Sequence, residues 1–311
     1  MTGGIFGGFA HIAATLAPIF LVILLGYGLR QFLLTGSGVW DGAERITYYI
    51  FLPALLVTSI ANADFATIPL SGMALGLAGG TLITALRVRL VQPLLAADGP
   101  AYSSLFQGTI RCGANVSITT AFVLLGEAGV ALTAISIVII VPLTNILAVI
   151  VLVNRNGRGT GRRHLAVSIA SNPMILACAL GVVLNVSEIG LPVVAEPLLG
   201  ILGQAALPLG LLAVGAGLRF MALAAEARLV ASGTAFKLAV MPFVSVVLLT
   251  TLGVENPHLL IAVLFAGSSV APSSYILARQ LGGAAVLMAG FVTATTLVAM
   301  ATLPVLKLAV G

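Results

Sequence analysis

Residues 111–117 read Arg-Cys-Gly-Ala-Asn-Val-Ser (RCGANVS), in the middle of an apolar run, 101–125. Roughly 20 mainly apolar residues are enough to cross a bilayer as a helix. Gly113 and Asn115 weaken a helix there and tolerate non-helical backbone angles. A stretch of the same character, 266–272, Ala-Gly-Ser-Ser-Val-Ala-Pro (AGSSVAP), interrupts the apolar run 257–280. Pro272 cannot donate to the preceding turn and is suited to open a new half-helix. An offset of 155 residues lays Ser117 on Pro272, so the two interruptions fall at equivalent places.

The same offset carries Pro18 onto Pro173, Leu25-Gly26 onto Leu180-Gly181, and Leu52-Pro53 onto Leu207-Pro208. Proline is costly inside helices, so coincident prolines mark an internal repeat better than coincident leucines do. The chain has 311 residues, 60% hydrophobic and 7% charged, with a mean hydropathy of +1.19. A soluble domain carries about 25% charged residues. The natural solvent of this sequence is lipid. Apolar runs fall at 10–30, 43–61, 69–92, 101–125, 129–153, 165–186, 196–218, 228–252, 257–280 and 284–308. In lipid every backbone polar group must be paired within its own segment, so runs of this length are helices.

The expected fold is therefore all-α and polytopic, with ten transmembrane helices as two five-helix repeats, 1–153 and 165–311, joined by a flexible basic link, 154–164. Five is odd, so two such repeats in one chain sit in opposite orientations, the inverted arrangement of many secondary transporters. If the link is cytoplasmic, Arg30, Arg45, Arg87, Arg89, Arg155, Arg158, Arg162, Arg163, Arg219, Arg228 and Arg279 share its side. Asp64, Glu127, Glu188, Glu196, Glu255 and Lys307 take the other. By the positive-inside rule both termini then face outward. Met1–Ala10 has no basic segment, so no cleaved signal peptide is expected.

A broken helix leaves unpaired N–H groups at the start of its second half, which carry partial positive charge and attract anions. Ser117, Thr119, Ser268, Ser269, Ser273 and Ser274 put small hydroxyls near the two interruptions, and Tyr275 lies just beyond the second. Two ordinary kinks packed by small residues would look similar. Arg111 and Lys237 are the cations well inside spans, where a charge costs roughly 2.5–3.5 kcal/mol on insertion scales. Arg111 falls near the C-terminal end of a half-helix, which suits a cation. Lys237 could snorkel or bond to carbonyls released by a break. Gln107, Asn145, Asn172 and Gln280 either line a cavity or bond between helices. All nine acids and all three histidines fall near span ends or in loops, so no midplane carboxylate site is expected. Cations without internal counter-ions suit an anionic substrate. The cations are scattered, which excludes a nucleic-acid face. Neither Cys112 nor Cys178 has metal-ligand spacing around it. Metalloprotease, hydrolase-elbow and phosphate-loop motifs are absent. No metal, cofactor or catalytic residue is expected.

The chain resembles the auxin efflux carrier family, which includes the plant PIN-FORMED carriers and bacterial malonate or malate carriers. The resemblance rests on PIFLVILLGYGLR (18–30), YIFLPALLVTSI (49–60), FQGTIRCGANVSITTAFVLLGEAG (106–129), VPLTN ending at Asn145, Asn172-Pro173, ALPLGLLAVGAGL ending at Leu218, Lys237, and APSSYILARQLGG ending at Gly283. It implies that helices four and nine cross at broken midpoints. It also implies a dimerising scaffold of helices one, two, six and seven, past which the other helices move as an elevator. The family's crossover asparagine matches Asn115 and its second crossover proline matches Pro272. Ser117 or a neighbour stands where family members often have a first crossover proline. The long loop of many plant members is missing, which makes the chain look bacterial, an inner-membrane protein.

The expectation is a secondary carrier, not an enzyme, for a small mono- or dicarboxylate such as malonate or malate. Its substrate-binding candidates are Arg111, Gly113, Asn115, Ser117, Thr119, Lys237, Ser268, Ser269, Pro272, Ser273 and Tyr275. Its partners are the lipid bilayer and a second copy of the chain. A sodium-coupled symporter of the bile-acid type, with a similar ten-helix layout, is the alternative. A receptor or structural subunit with mere kinks is a third reading.

Overall fold

The structure, a computed structural model, describes residues 2–63, 68–95, 97–156, 171 and 173–311. Among them every regular element is helical. Helix α1 is Thr2–Phe32; α2, Ser37–Ile46, passes through a π-helical turn, Thr47–Phe51, into α3, Leu52–Ala61. Then come α4 (Leu70–Leu95), α5 (Gly99–Ile110), α6 (Ala114–Asn156), α7 (Pro173–Val186), α8 (Ala195–Gly217) and α9 (Met221–Ala225). Helix α10, Ala227–Ala235, passes through a second π turn, Phe236–Val240, into α11, Met241–Thr251. The chain ends with α12 (His258–Ala266), α13 (Ser273–Leu281) and α14 (Ala285–Val310).

Both π turns have one cause. They end just before Leu52-Pro53 and Met241-Pro242, and the N–H groups of Leu52 and Met241 reach back to the carbonyls of Thr47 and Phe236. Proline brings no N–H and its ring crowds the preceding turn, so the ladder widens to i→i+5 there.

Among the described residues, six stretches are long and apolar enough to cross a membrane: Ile12–Phe32, Leu70–Leu95, Gly99–Leu152, Ala195–Gly217, Ala227–Thr251 and Ala285–Val310; Pro173–Val186 is a shorter apolar helix. The chain is thus a polytopic helical membrane protein. Gly99–Leu152, at 54 residues, holds two of the expected spans, 101–125 and 129–153. Within it α6 is interrupted at Gly126, whose φ of 59° and ψ of −144° are open to glycine and strained for other residues. The expected spans 43–61 and 257–280 are built from the shorter pieces α2–α3 and α12–α13. The link 154–164 lies outside the described residues beyond Asn156, as do Asp64, Arg158, Arg162, Arg163, His164 and Asn172; the Gln280 side chain also lies outside them.

Small residues let the helices approach closely, as packing within lipid requires. A Cβ on Gly215 of α8 would strike the Ile23 carbonyl of α1, and one on Gly26 of α1 would strike the Leu212 carbonyl of α8. Gly181 of α7 admits Ile60 of α3, and Gly203 of α8 admits Leu55. On the other side of the molecule, Gly76 and Gly80 of α4 admit Leu249 and Ser245 of α11. Charged side chains find polar partners. Arg155 donates to Gln92 at 2.8 Å and lies over the Tyr102 ring, and Arg228 reaches the Leu94 carbonyl at 3.3 Å. Ser59 donates to Glu127 at 2.9 Å.

Candidate functional site: two broken helices and the cavities beside them

Helix α5 stops at Ile110 and α6 begins at Ala114; between them Arg111 is extended, with φ −84° and ψ 134°. Helix α12 stops at Ala266 and α13 begins at Ser273, with Pro272 at its N-cap. The two breaks touch. The Gly113 N–H donates to the Ser269 carbonyl at 2.7 Å. A Cβ on Gly113 would lie 2.9 Å from that oxygen, so glycine is what lets the backbones meet. Gln107 Nε2 of α5 donates to the Ser274 carbonyl at 3.3 Å, and Thr295 of α14 accepts the Val270 N–H at 3.1 Å.

Lys237, in the second π turn, is wholly buried. Its Nζ donates to the Ala266 carbonyl at 2.8 Å and sits 3.0 Å from Cys112 Sγ and 3.4 Å from Met241 Sδ. The ammonium therefore caps the negative end of α12 and touches the other break through Cys112. Lys237 lines neither of the two cavities described next.

An inner cavity of about 90 Å³ lies against both breaks and takes in Arg111, Gly113, Asn115, Ser269, Pro272 and Ser273. A larger vestibule of about 1190 Å³ also reaches Arg111, Pro272 and Ser273, and adds Tyr275. The start of α6 lines the inner cavity with Ala114, Asn115 and Val116, and that of α13 reaches it with Ser273, while the Ser274 and Tyr275 N–H groups are taken by the carbonyls of Ala271 and Pro272. Arg111 stands where the two spaces share a wall. Its Nη2 donates to Ser273 Oγ at 3.3 Å, and its Nη1 is buried with no partner. Asn115 Nδ2 donates to the Gly210 carbonyl of α8 at 3.3 Å, tying the first break to another helix.

Ser117, Thr119 and Ser268 turn their hydroxyls to the carbonyls of Gly113, Asn115 and Phe265, each at 2.8 Å. They line neither cavity. Such back-bonding to a preceding turn is a common fate of Ser and Thr in helices. Tyr275 lies under the Arg279 guanidinium, 5.8 Å from ring centroid to Cζ.

Several lining residues escaped the sequence reading. Glu44, Thr47 and Tyr48 reach the inner cavity, and Asp41, Glu44, Arg30, Arg45, Arg219 and Arg279 reach the vestibule. Glu44, near the start of the expected span 43–61, borders both spaces. The signal was present: Asp41, Glu44 and Tyr48 recur at helical spacing, one face of a turn. Asn145, weighed from sequence as a cavity residue, does line the vestibule; Gln107 is buried between α5 and α13 instead.

Comparison with known proteins places this geometry. No curated protein matches the chain. A family model described as a membrane transport protein matches residues 162–307, a region that runs from α7 into α14 and takes in the second break. Over those residues, just under half of the chain, the protein is similar to a family of membrane transporters, in keeping with its resemblance to the auxin efflux carriers.

Proposed function

We propose that the protein is a secondary carrier of a small organic anion, a mono- or dicarboxylate such as malonate or malate. One observation carries the reading: the Arg111 guanidinium, with Nη1 buried and unpartnered, stands between the inner cavity and the vestibule beside two helix starts. A cation beside the positive end of α6, in a small space, is what a carboxylate needs.

The architecture we propose is ten transmembrane helices in two inverted repeats, 1–153 and 165–311, joined by the link 154–164. In it α1, α2–α3, α7 and α8 form a dimerising scaffold, and the helices carrying the breaks move past it as an elevator. The close glycine contacts support this grouping, since they join α1 to α8, α3 to α7 and α8, and separately α4 to α11. We place the protein in a bacterial inner membrane with both termini outward. The vestibule's Arg30, Arg45, Arg219 and Arg279 support that sense, because basic residues favour the cytoplasmic side. The family match lends the sodium-coupled bile-acid type no support.

Uptake of labelled malonate, malate and butyrate into liposomes holding the purified protein tests the reading. A hydrogen bond to a charged group contributes about 1.5–3 kcal/mol. Arg111→Gln should therefore lower uptake by about tenfold or more. Uptake equal to that of the wild type would remove Arg111 from the site.

A further inference from the structure

The inner cavity narrows the substrate class, in a step that rests on the carrier reading above. Among the described residues around it, Arg111 is the one base and Glu44 the one carboxylate. Two of its polar atoms are buried without partners, Nη1 of Arg111 and Oγ1 of Thr47; Thr47 is 2% exposed. Two other polar groups on the wall are committed elsewhere. Asn115 Nδ2 is held by the Gly210 carbonyl, and Thr144 Oγ1 by the carbonyls of Ile140 and Val141 at 2.9 and 3.3 Å. Much of the remaining wall is apolar: Leu52, Ile140, Val141, Met174, Val214 and Phe265.

We infer that the substrate is a short aliphatic monocarboxylate. Its carboxylate sits on Arg111 Nη1 and accepts a hydrogen bond from the Thr47 hydroxyl. Its tail lies on the apolar wall. A second carboxylate has no such place within the inner cavity. Lys237, the other buried cation, is engaged by the Ala266 carbonyl and lines neither cavity. Set among Leu52, Ile140 and Phe265, a second carboxylate would be a buried charge without a partner, which is strongly disfavoured. Turned toward the vestibule, it would pass Glu44, which borders both spaces, and leave the inner cavity for the wider space where Arg30, Arg45, Arg219 and Arg279 stand with Asp41. Burial of one methylene, by contrast, favours binding by about fourfold, until a cavity of this size is filled.

Pairs of acids matched in carbon number isolate the second charge: propionate against malonate, and butyrate against succinate. The full chain in lipid nanodiscs is titrated with each acid by thermal shift, and liposomes loaded with the same protein report competition with labelled butyrate. Propionate and butyrate should raise the melting temperature and compete. Malonate and succinate should do so at least about tenfold more weakly, the factor that one poorly placed charge readily supplies. Glu44→Gln should narrow the gap between butyrate and succinate, and Thr47→Val should weaken butyrate. Succinate binding as well as butyrate in the wild type would overturn this inference and leave the carrier reading standing. A folded protein that neither binds nor moves any of the four acids would sink the carrier reading itself.

Discussion

At the scale of the residue, the two intramembrane cations have different work. Both are costly in lipid, and the sequence shows only that something must offset each. Arg111 is offset in part, by Ser273 and by its place at the end of α5; it lines both cavities, and its Nη1 is buried without a partner. Lys237 is offset inside the protein by the Ala266 carbonyl, with two sulfur atoms beside it. Lys237→Met keeps the bulk and strands that carbonyl, at a cost of about 1–3 kcal/mol. We expect a lower melting temperature in nanodiscs and an unchanged ratio of butyrate to succinate binding. A changed ratio would mean that Lys237 touches the substrate.

At the scale of the element, the breaks were legible because their composition is local. Glycine, asparagine, serine and proline in mid-span weaken a helix whatever surrounds it. The fate of their hydroxyls was not legible. Ser117, Thr119 and Ser268 could have faced a ligand, yet each bonds a carbonyl of its own turn. That choice depends on rotamer and neighbours, to which spacing is blind. The contact between the breaks is likewise a matter of two distant backbones. Gly113→Ala puts a methyl 2.9 Å from the Ser269 oxygen. Overpacking of this kind costs about 1–3 kcal/mol. Thermal unfolding should register that loss, and transport should fall with it, because the same shift parts Gly113 from Ser269 and moves Arg111.

At the scale of the whole molecule, charge is the organising quantity. Arg30, Arg45, Arg219 and Arg279 surround the vestibule, and Arg155 and Arg228 sit beside Gln92 and Leu94. The acidic Glu127 pairs with Ser59. The positive-inside rule gives the sense of insertion we propose. An alkaline phosphatase fused after Gly311 should be active in the bacterial periplasm, and one inserted within 154–164 should be inactive. The reverse pattern would invert the molecule and put the vestibule outside.

The sequence by itself determined the helical membrane class and the two mid-span interruptions, because each follows from composition over a short window and the avoidance of lipid by polar groups. Only the tertiary structure decided that Gly113 meets Ser269, that Lys237 closes α12, and that Glu44 and Thr47 come to the wall beside Arg111. Those pairings join residues far apart in the chain. Their register is set by helix packing and by the π turn before Pro53, where one wider turn rotates every side chain relative to a regular helix.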